Sequence, residues 1–272
     1  MTFYDAHNHL HDSRLTPYLA GIEMELEAIG VGAVVVNGTS PADWPQVVDL
    51  ARASRLPIIP SYGLHPWEWT SAPRDWADLL RAALDRDPTA GVGEIGLDRW
   101  KSDLPWDGQE AVFATQLAIA AEYNRPASIH CLRAWGACVE RLTTGPLPVR
   151  GVLLHSFSGS MEVAERLIAC GAYFSFCGAF MREKQVRTRA VFQALPLDRI
   201  LVETDAPDQC PPRPQITHPL SDEAGQPLNH PAHLVAVYQA LADLRGMPLA
   251  DLCARVAANF RRLFGPIHSA GR

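Results

Sequence analysis

Two histidines separated by one residue stand near the start of the sequence, in the segment DAHNHL at residues 5–10. On an extended backbone, side chains two residues apart point to the same side of the strand. His7 and His9 are therefore spaced so that both imidazoles can bind one cation. Imidazole nitrogen is a common ligand of zinc and of neighbouring transition metals. This segment predicts part of a metal site.

Four more candidate ligands stand at the ends of later apolar runs: Glu94, His130, His155 and Asp205. Together the six side chains offer nitrogen and oxygen donors, which suit Zn, Mn, Fe or Co, and Mg where water completes the shell. Six ligands are too many for one tetrahedral zinc, but they suit two ions about 3.5–4 Å apart that share a carboxylate. We therefore expect two divalent ions, with Zn, Mg or Mn as the candidates.

Short apolar runs alternate with longer amphipathic segments along the whole chain. The runs predict strands at 3–7, 32–37, 57–62, 91–95, 127–130, 151–155, 172–176 and 199–203. The amphipathic segments predict helices at 15–29, 42–54, 76–87, 108–123, 135–143, 161–169, 182–195, 231–244 and 248–263. Eight such units predict a closed (β/α)8 TIM barrel, in which the carboxyl ends of the strands carry the active site. A doubly wound open sheet is the alternative, but no glycine-rich dinucleotide motif follows the first strand.

We expect one barrel domain over residues 1–272, with no linker. The one break in composition is the proline-rich stretch 207–231. It predicts a long irregular loop after the eighth strand, and such a loop would overhang the active site.

The chain has 272 residues, with 24 basic and 30 acidic side chains and a formal net charge of −6. Such a balance disfavours a protein that coats duplex DNA, because that binding depends on neutralising phosphates. It permits a nucleic acid end that metal ions hold in a pocket. No apolar run approaches the roughly 18 residues of a membrane span, no signal peptide is apparent, and the six cysteines are scattered. We expect a cytoplasmic protein, and a monomer.

Several motifs resemble those of the TatD family of metal-dependent hydrolases, within the amidohydrolase-like superfamily. In order they are DAHNHL (5–10), GLHP (63–66), GEIGLD (93–98), IHC (129–131), LHSFSG (154–159), ETDAP (203–207) and NFRRLFG (259–265). The resemblance covers nearly the whole chain. It implies His7, His9, Glu94, His130, His155 and Asp205 as metal ligands, with Glu94 bridging two ions. It also implies hydrolysis of phosphodiester bonds, typically as a deoxyribonuclease.

The sequence departs from the family pattern at two places. The usual second histidine of the second motif is Trp67 here, in GLHPW at residues 63–67. The segment IHCLRAW at 129–135 displaces the family's arginine by one position, to Arg133. Both changes fall beside the ligands, so they bear on the substrate more than on the chemistry.

Roles follow from these positions. Asp205 is the candidate to accept a proton from water and pass it to the leaving group, or it is a ligand alone. His65 could hydrogen-bond an oxygen on which charge builds, or it could cap loop backbone groups. Glu203 and Asp98 could orient ligands from behind.

Further side chains are candidates for holding the substrate. Trp67 and Trp69 could stack on a base or could pack within a lid. Arg133 and Arg182 could clamp an anion, or they could be solvated residues at helix starts. Five other histidines are interpreted as loop or surface residues: His11, His218, His230, His233 and His268.

We therefore expect a metal-dependent hydrolase that resembles TatD deoxyribonucleases and acts on single-stranded or frayed DNA ends, or on a small phosphoester. One alternative is a small-molecule amidohydrolase or esterase on the same metals, because a fold does not determine its chemistry. Another is a metal-binding protein without catalysis, which the complete ligand set disfavours.

Overall fold

The computed structural model describes residues 1–101 and 103–267, so His268 lies outside the described residues. Within these ranges, eight parallel strands alternate with helices. The strands are β1 (Phe3–Asn8), β2 (Val31–Asn37), β3 (Ile58–Ser61), β4 (Val92–Asp98), β5 (Ala127–Leu132), β6 (Val152–Leu154), β7 (Tyr173–Phe176) and β8 (Ile200–Val202). The helices are α1 (Leu19–Ala28), α2 (Trp44–Ala53), α3 (Trp76–Arg86), α4 (Trp106–Glu122), α5 (Trp135–Thr144), α6 (Met161–Ile168), α7 (Val186–Ala194), α8 (Leu234–Arg245) and α9 (Leu249–Phe264).

The strands pair in chain order, β1 to β3 in one group and β4 to β8 in another. Backbone hydrogen bonds join the two groups on both sides. The Gly91 N–H donates to the Pro60 carbonyl at 2.8 Å, and the Tyr62 N–H donates to the Gly91 carbonyl at 3.1 Å. On the other side, the Asp205 N–H donates to the His7 carbonyl at 3.0 Å. The predicted (β/α)8 barrel is confirmed, and the open-sheet alternative is set aside.

The strands form because their side chains are apolar on both faces. β2 has the sequence VGAVVVN, in which only Gly32 is not fully buried. Side chains on one face of such a strand fill the barrel and those on the other pack against helices. At β1, Tyr238 of α8 closes the core: its hydroxyl donates to the Tyr4 carbonyl at 2.9 Å and accepts from the Tyr4 N–H at 3.1 Å.

The predicted helices are right in number and order, but three of them begin three or four residues later than predicted. In each case a 3-10 turn precedes the α-helix: Ser13–Tyr18 before α1, Glu183–Gln185 before α7 and Pro231–His233 before α8. Proline lies in two of these turns, Pro17 and Pro231. Its missing N–H and fixed φ suit the entry to a helix and not its interior.

The segment 207–231 is more ordered than the irregular loop that its prolines predict. It contains a 3-10 turn (Arg213–Gln215) and a hairpin of β9 (Leu220–Ser221) with β10 (Pro227–Leu228). The Tyr18 hydroxyl donates to the Ser221 carbonyl at 2.9 Å, so the hairpin lies beside the start of α1. Its role at the active site stays a prediction, as does the single-domain boundary.

Glycines let β4 approach its neighbours closely where the site lies. Gly96 has φ +144°, and a Cβ there would overlap the His130 carbonyl of β5. A Cβ on Gly93 would lie 2.7 Å from the Ser128 Cβ and 2.9 Å from the Asn37 Oδ1. The two glycines of GEIG thus keep Glu94 close to the neighbouring strands.

We expect Gly96→Ala to lower the free energy of unfolding by roughly 2–4 kcal/mol, through backbone strain and overlap with β5. The measurement is urea denaturation followed by circular dichroism. The matched control is Gly21→Ala on α1, where nothing lies within 4 Å of the added Cβ and a gain of about 0.5–1 kcal/mol is expected. Equal stability of Gly96→Ala and the parent protein would contradict this interpretation.

Candidate metal centre

The six candidate ligands meet at the carboxyl ends of the strands. They come from five strands or from the residue that follows one: His7 and His9 at β1, Glu94 in β4, His130 in β5, His155 after β6 and Asp205 after β8. Four are buried, and His9 and His130 are partly buried. Asp205 has φ +54°, a left-handed conformation that costs free energy in a residue other than glycine and is common at functional sites.

Glu94 lies at the middle of the cluster, and its two oxygens face different histidines. Oε2 is 3.1 Å from His9 Nε2 and 3.4 Å from His7 Nε2. Oε1 is 2.8 Å from His155 Nε2 and 3.1 Å from His130 Nδ1. Asp205 Oδ1 joins the first pair, at 3.6 Å from the Nε2 atoms of both His7 and His9. The geometry divides the ligand atoms into two groups that share one carboxylate.

Hydrogen bonds outside the cluster determine which nitrogen of His9 and of His130 faces inward. His9 Nδ1 is 2.7 Å from the Asn37 carbonyl, which can only accept, so Nδ1 carries a proton and Nε2 has a free lone pair. His130 Nε2 donates to Asp98 Oδ2 at 2.9 Å, so Nδ1 has the lone pair. Lone pairs and carboxylate oxygens thus converge on one space, which is the electronic requirement of a divalent cation.

The electrostatics of the cluster also favour positive charge. Burial opposes protonation of His9, but hydrogen bonding to Glu94 and the charges of Glu94 and Asp205 raise its pKa to about 9. Burial alone would raise the pKa of Glu94, yet the charge of His155 and hydrogen bonds from His130 and His155 lower it well below its usual range. Burial raises the pKa of Asp205 to about 7. The residues present therefore fit a cation site, and several His and Glu side chains lie close enough to hold an ion.

Two buried carboxylates support the ligands, at the positions that the sequence indicates. Asp98 Oδ2 accepts from His130, as above, and the pKa of Asp98 falls to about 2 because His130 and the Trp100 N–H outweigh the effect of burial. Glu203 Oε1 accepts from the Ser156 N–H at 2.7 Å and lies 3.8 Å from His155 Nδ1. Asp98 therefore restrains His130 through a hydrogen bond, whereas Glu203 lies behind His155 without a hydrogen bond to its ring.

Three further supporting residues are not evident from sequence reasoning. Ser128 Oγ is 2.7 Å from His7 Nδ1, and the Asn37 carbonyl holds His9. Asp5 is a buried residue of β1 that accepts from the Thr204 N–H at 3.0 Å and so fastens the end of β8 to β1. The signal was available for Ser128 and Asp5, which lie two residues before His130 and His7 and so face the same side of their strands.

His65 has the opposite tautomer from the ligands. Its Nδ1 accepts from the Trp67 N–H at 3.2 Å, so Nε2 carries the proton and faces Glu94 Oε1 at 3.4 Å. Burial lowers the pKa of His65 to about 4, which keeps the ring neutral. His65 is therefore arranged to donate a hydrogen bond into the site while its Nδ1 caps a loop N–H, and its role towards a substrate stays a prediction.

The predicted substrate residues have different surroundings. Trp67 and Arg182 line the cavity above the cluster. Trp69 packs on α4, where a Cβ at Gly108 would overlap its ring. Arg133 is exposed and lies outside the set of described residues that line the cavity.

His11 lies in the loop after β1, as interpreted, but its side chain lines the cavity. Its side chain is 6% exposed, and Nε2 lies 3.5 Å from Asp43 Oδ2. His230 and His233 are also buried, at 5% and 1% exposure, and they pack on each other beside the hairpin of β9 and β10. The only sequence signal for the position of His11 is that it follows His9 at the same spacing at which His9 follows His7.

A cavity of about 770 Å³ opens above the cluster. Six of its lining residues are acidic and two are arginines: Asp12, Asp43, Glu68, Glu94, Asp205, Asp208, Arg14 and Arg182. Arg14 is already paired, since Nη2 lies 2.7 Å from Asp12 and 3.1 Å from Asp208. Without a bound cation, the lining of the cavity is therefore predominantly acidic.

A metal-binding cluster at the carboxyl end of a (β/α)8 barrel is the arrangement of a metal-dependent hydrolase. The family of TatD-related DNases matches residues 4–265 of the chain. The uncharacterized metal-dependent hydrolase YjjV of Escherichia coli K12 is 32% identical over 267 residues, which cover 96% of this chain and 97% of that protein. The 3′-5′ ssDNA/RNA exonuclease TatD of the same strain is 30% identical over 240 residues, or 87% of this chain and 88% of that one.

A crystal structure of E. coli YjjV, described as a TatD homologue, has a TM-score of 0.86 at 30% identity and covers 97% of this chain and 98% of that one. The chain belongs to the TatD-related DNase family. The predicted class, a metal-dependent hydrolase, is confirmed. Among the described residues, no helix is long and apolar enough to cross a membrane.

We expect Asp98→Asn to weaken metal binding by about 10- to 100-fold, because loss of the carboxylate frees the His130 ring and lowers its basicity. The measurement is competition for zinc against a chromogenic chelator. Asp107→Asn, an exposed change in the first turn of α4, is the matched control. Unchanged affinity in Asp98→Asn would contradict the supporting role of Asp98.

Proposed function

We propose that the protein hydrolyses phosphodiester bonds at the ends of single-stranded nucleic acid, with two divalent ions such as Zn, Mg or Mn at the ligand cluster. The observation that carries the proposal is the position of Glu94, whose two oxygens face two separate sets of ligand atoms. Carboxylate-bridged pairs of ions are typical of enzymes that cleave phosphodiesters. The relative TatD of E. coli, a 3′-5′ ssDNA/RNA exonuclease by name, supports the same substrate class.

The shape of the site favours strand ends. Glu94 and His7 are 3% and 0% exposed, so the reacting bond must enter the cavity to reach them. The acidic lining repels phosphates that are not at the metal site, and Arg14 is already paired with two carboxylates. A single flexible strand can place one phosphodiester there, whereas a duplex offers a wide, uniformly charged surface.

Each residue has an assigned task in this reaction. When bound, divalent ions at such a site lower the pKa of water and withdraw charge from a phosphoryl oxygen. His65 donates its Nε2–H to an oxygen that gains charge. Asp205 faces His7 and His9 through Oδ1, and we assign its second oxygen to proton transfer from water to the leaving group. Trp67 forms part of the cavity wall. The role of Arg133 in binding an anion stays a prediction.

The second candidate is a small ester or amide substrate on the same centre. The acidic lining of the cavity favours a small substrate with few negative charges. As the sequence analysis predicts, the protein is proposed to be a monomer and to be located in the cytoplasm.

We expect Asp205→Asn to reduce nucleotide release from a single-stranded oligonucleotide by at least about a hundredfold, because the amide cannot take up the proton. The assay uses chelator-stripped protein with Mg, Mn or Zn restored, and oligonucleotides labelled at the 3′ or the 5′ end to give the polarity. Asp243→Asn, an exposed change on α8, is the control.

Three outcomes are informative here. Metal-dependent release that Asp205→Asn abolishes supports the nuclease. Metal binding without release by the unaltered protein contradicts the nuclease and directs the search to small esters and amides. Full release by Asp205→Asn contradicts its role in proton transfer.

We expect a weak dependence on salt, because the cavity binds few phosphates beyond the reacting one. For single strands, the slope of log affinity against log salt is about −0.7 per neutralised phosphate. One or two contacts predict a slope between about −0.7 and −1.4, measured from KM at salt concentrations of roughly 50–200 mM. A slope steeper than about −3 would show an extended basic track and contradict binding at strand ends.

A further inference from the structure

Trp100 is an exposed indole in the cavity wall. Its side chain follows β4, lines the cavity and is 53% exposed. All seven tryptophans lie in the described residues, and the other six are buried or partly buried. An exposed large aromatic side chain beside a reactive centre is a common sign of a binding surface.

The position of Trp100 is tied to the metal ligands through Asp98. Asp98 Oδ1 accepts from the Trp100 N–H at 2.5 Å, while Oδ2 accepts from His130 Nε2 at 2.9 Å. The same oxygen accepts from Trp67 Nε1 at 2.8 Å. One carboxylate thus holds a ligand ring, a tryptophan side chain and the backbone of the exposed tryptophan. Trp100 therefore has a defined place relative to the cluster.

Trp67 is the less available of the two rings. The Lys101 ammonium lies 4.0 Å from its ring centroid, so this cation covers one face. Its ring meets that of His65 nearly at right angles, with centroids 5.2 Å apart. The rings of Trp67 and Trp100 are 6.0 Å apart and inclined by 33°, too close to admit a third ring between them. The accessible aromatic face belongs to Trp100.

We propose that Trp100 stacks on the base of the terminal nucleotide, with Trp67 as a positioning residue that supports it through Asp98. This inference rests on the proposed function. Stacking on indole accepts every base, because each has a π-face, and it adds no phosphate contacts to an acidic cavity. The ligand class is accordingly a nucleobase attached to the phosphodiester that enters the metal centre.

The test compares two oligonucleotides that differ only in the terminal residue, which is either a thymidine or an abasic tetrahydrofuran. We expect the unaltered protein to prefer the thymidine end by about tenfold in kcat/KM, the effect of one stacked base. Trp100→Leu should bring this ratio close to one, and Trp100→Phe should restore most of it. Trp106→Phe, at the start of α4 and outside the cavity lining, should keep the full ratio.

A second readout does not depend on turnover. Thymidine monophosphate is titrated into the folded protein while tryptophan fluorescence is recorded, with deoxyribose 5-phosphate as the probe that lacks a base. The nucleotide should quench more strongly than the sugar phosphate, and Trp100→Leu should remove this difference while Trp106→Phe keeps it.

The outcomes separate this inference from the proposed function. A base preference that Trp100→Leu removes supports the stacking site. No preference in the unaltered protein, or an equal preference in Trp100→Leu, overturns it while the nuclease stands. If no oligonucleotide is cleaved, the proposed function fails, and base-dependent quenching alone then decides whether Trp100 binds a base.

Discussion

The structure depends on the charge balance around one buried carboxylate. Glu94 lies among five imidazoles, and its oxygens are within 3.4 Å of ring nitrogens on both sides. A buried anion needs a cation or several hydrogen-bond donors. The rings of His9 and His130 present lone pairs to this space. A divalent ion would therefore bind these lone pairs and balance the charge of Glu94 at the same time.

The barrel supplies this group by bringing strand ends together. Hydrogen bonds between β8 and β1 place Asp205 beside His7, and the glycines of β4 let Glu94 approach β5. Behind the ligands, a layer of acceptors then sets the ring orientations. The Asn37 carbonyl and Asp98 each accept a hydrogen bond from one imidazole, and this decides which nitrogen faces inward. His65 has the reverse arrangement, so it donates where its neighbours accept.

Much of the fold follows from the sequence, because buried parallel strands are short apolar runs and their polar ends are visible. The same logic locates the six candidate ligands, since strand ends meet at one end of a barrel. Hairpin β9–β10 was not predicted, because prolines indicate a break in helices and sheets without showing what replaces them. The burial of His11 depends on its loop folding back toward Asp43. The tautomer of His65 depends on a hydrogen bond from the Trp67 backbone N–H. Asp98 holds His130, the Trp67 side chain and the Trp100 backbone together. No local sequence pattern encodes these contacts.

The central claim is that Glu94 joins two metal positions. Anomalous diffraction from crystals grown with zinc or manganese tests it most directly. Two peaks are predicted, one near Glu94 Oε2 with His7 and His9, and one near Oε1 with His130 and His155; His65 should contact neither ion. A single peak away from Glu94, or an ion bound by His65 Nε2, would contradict the claim.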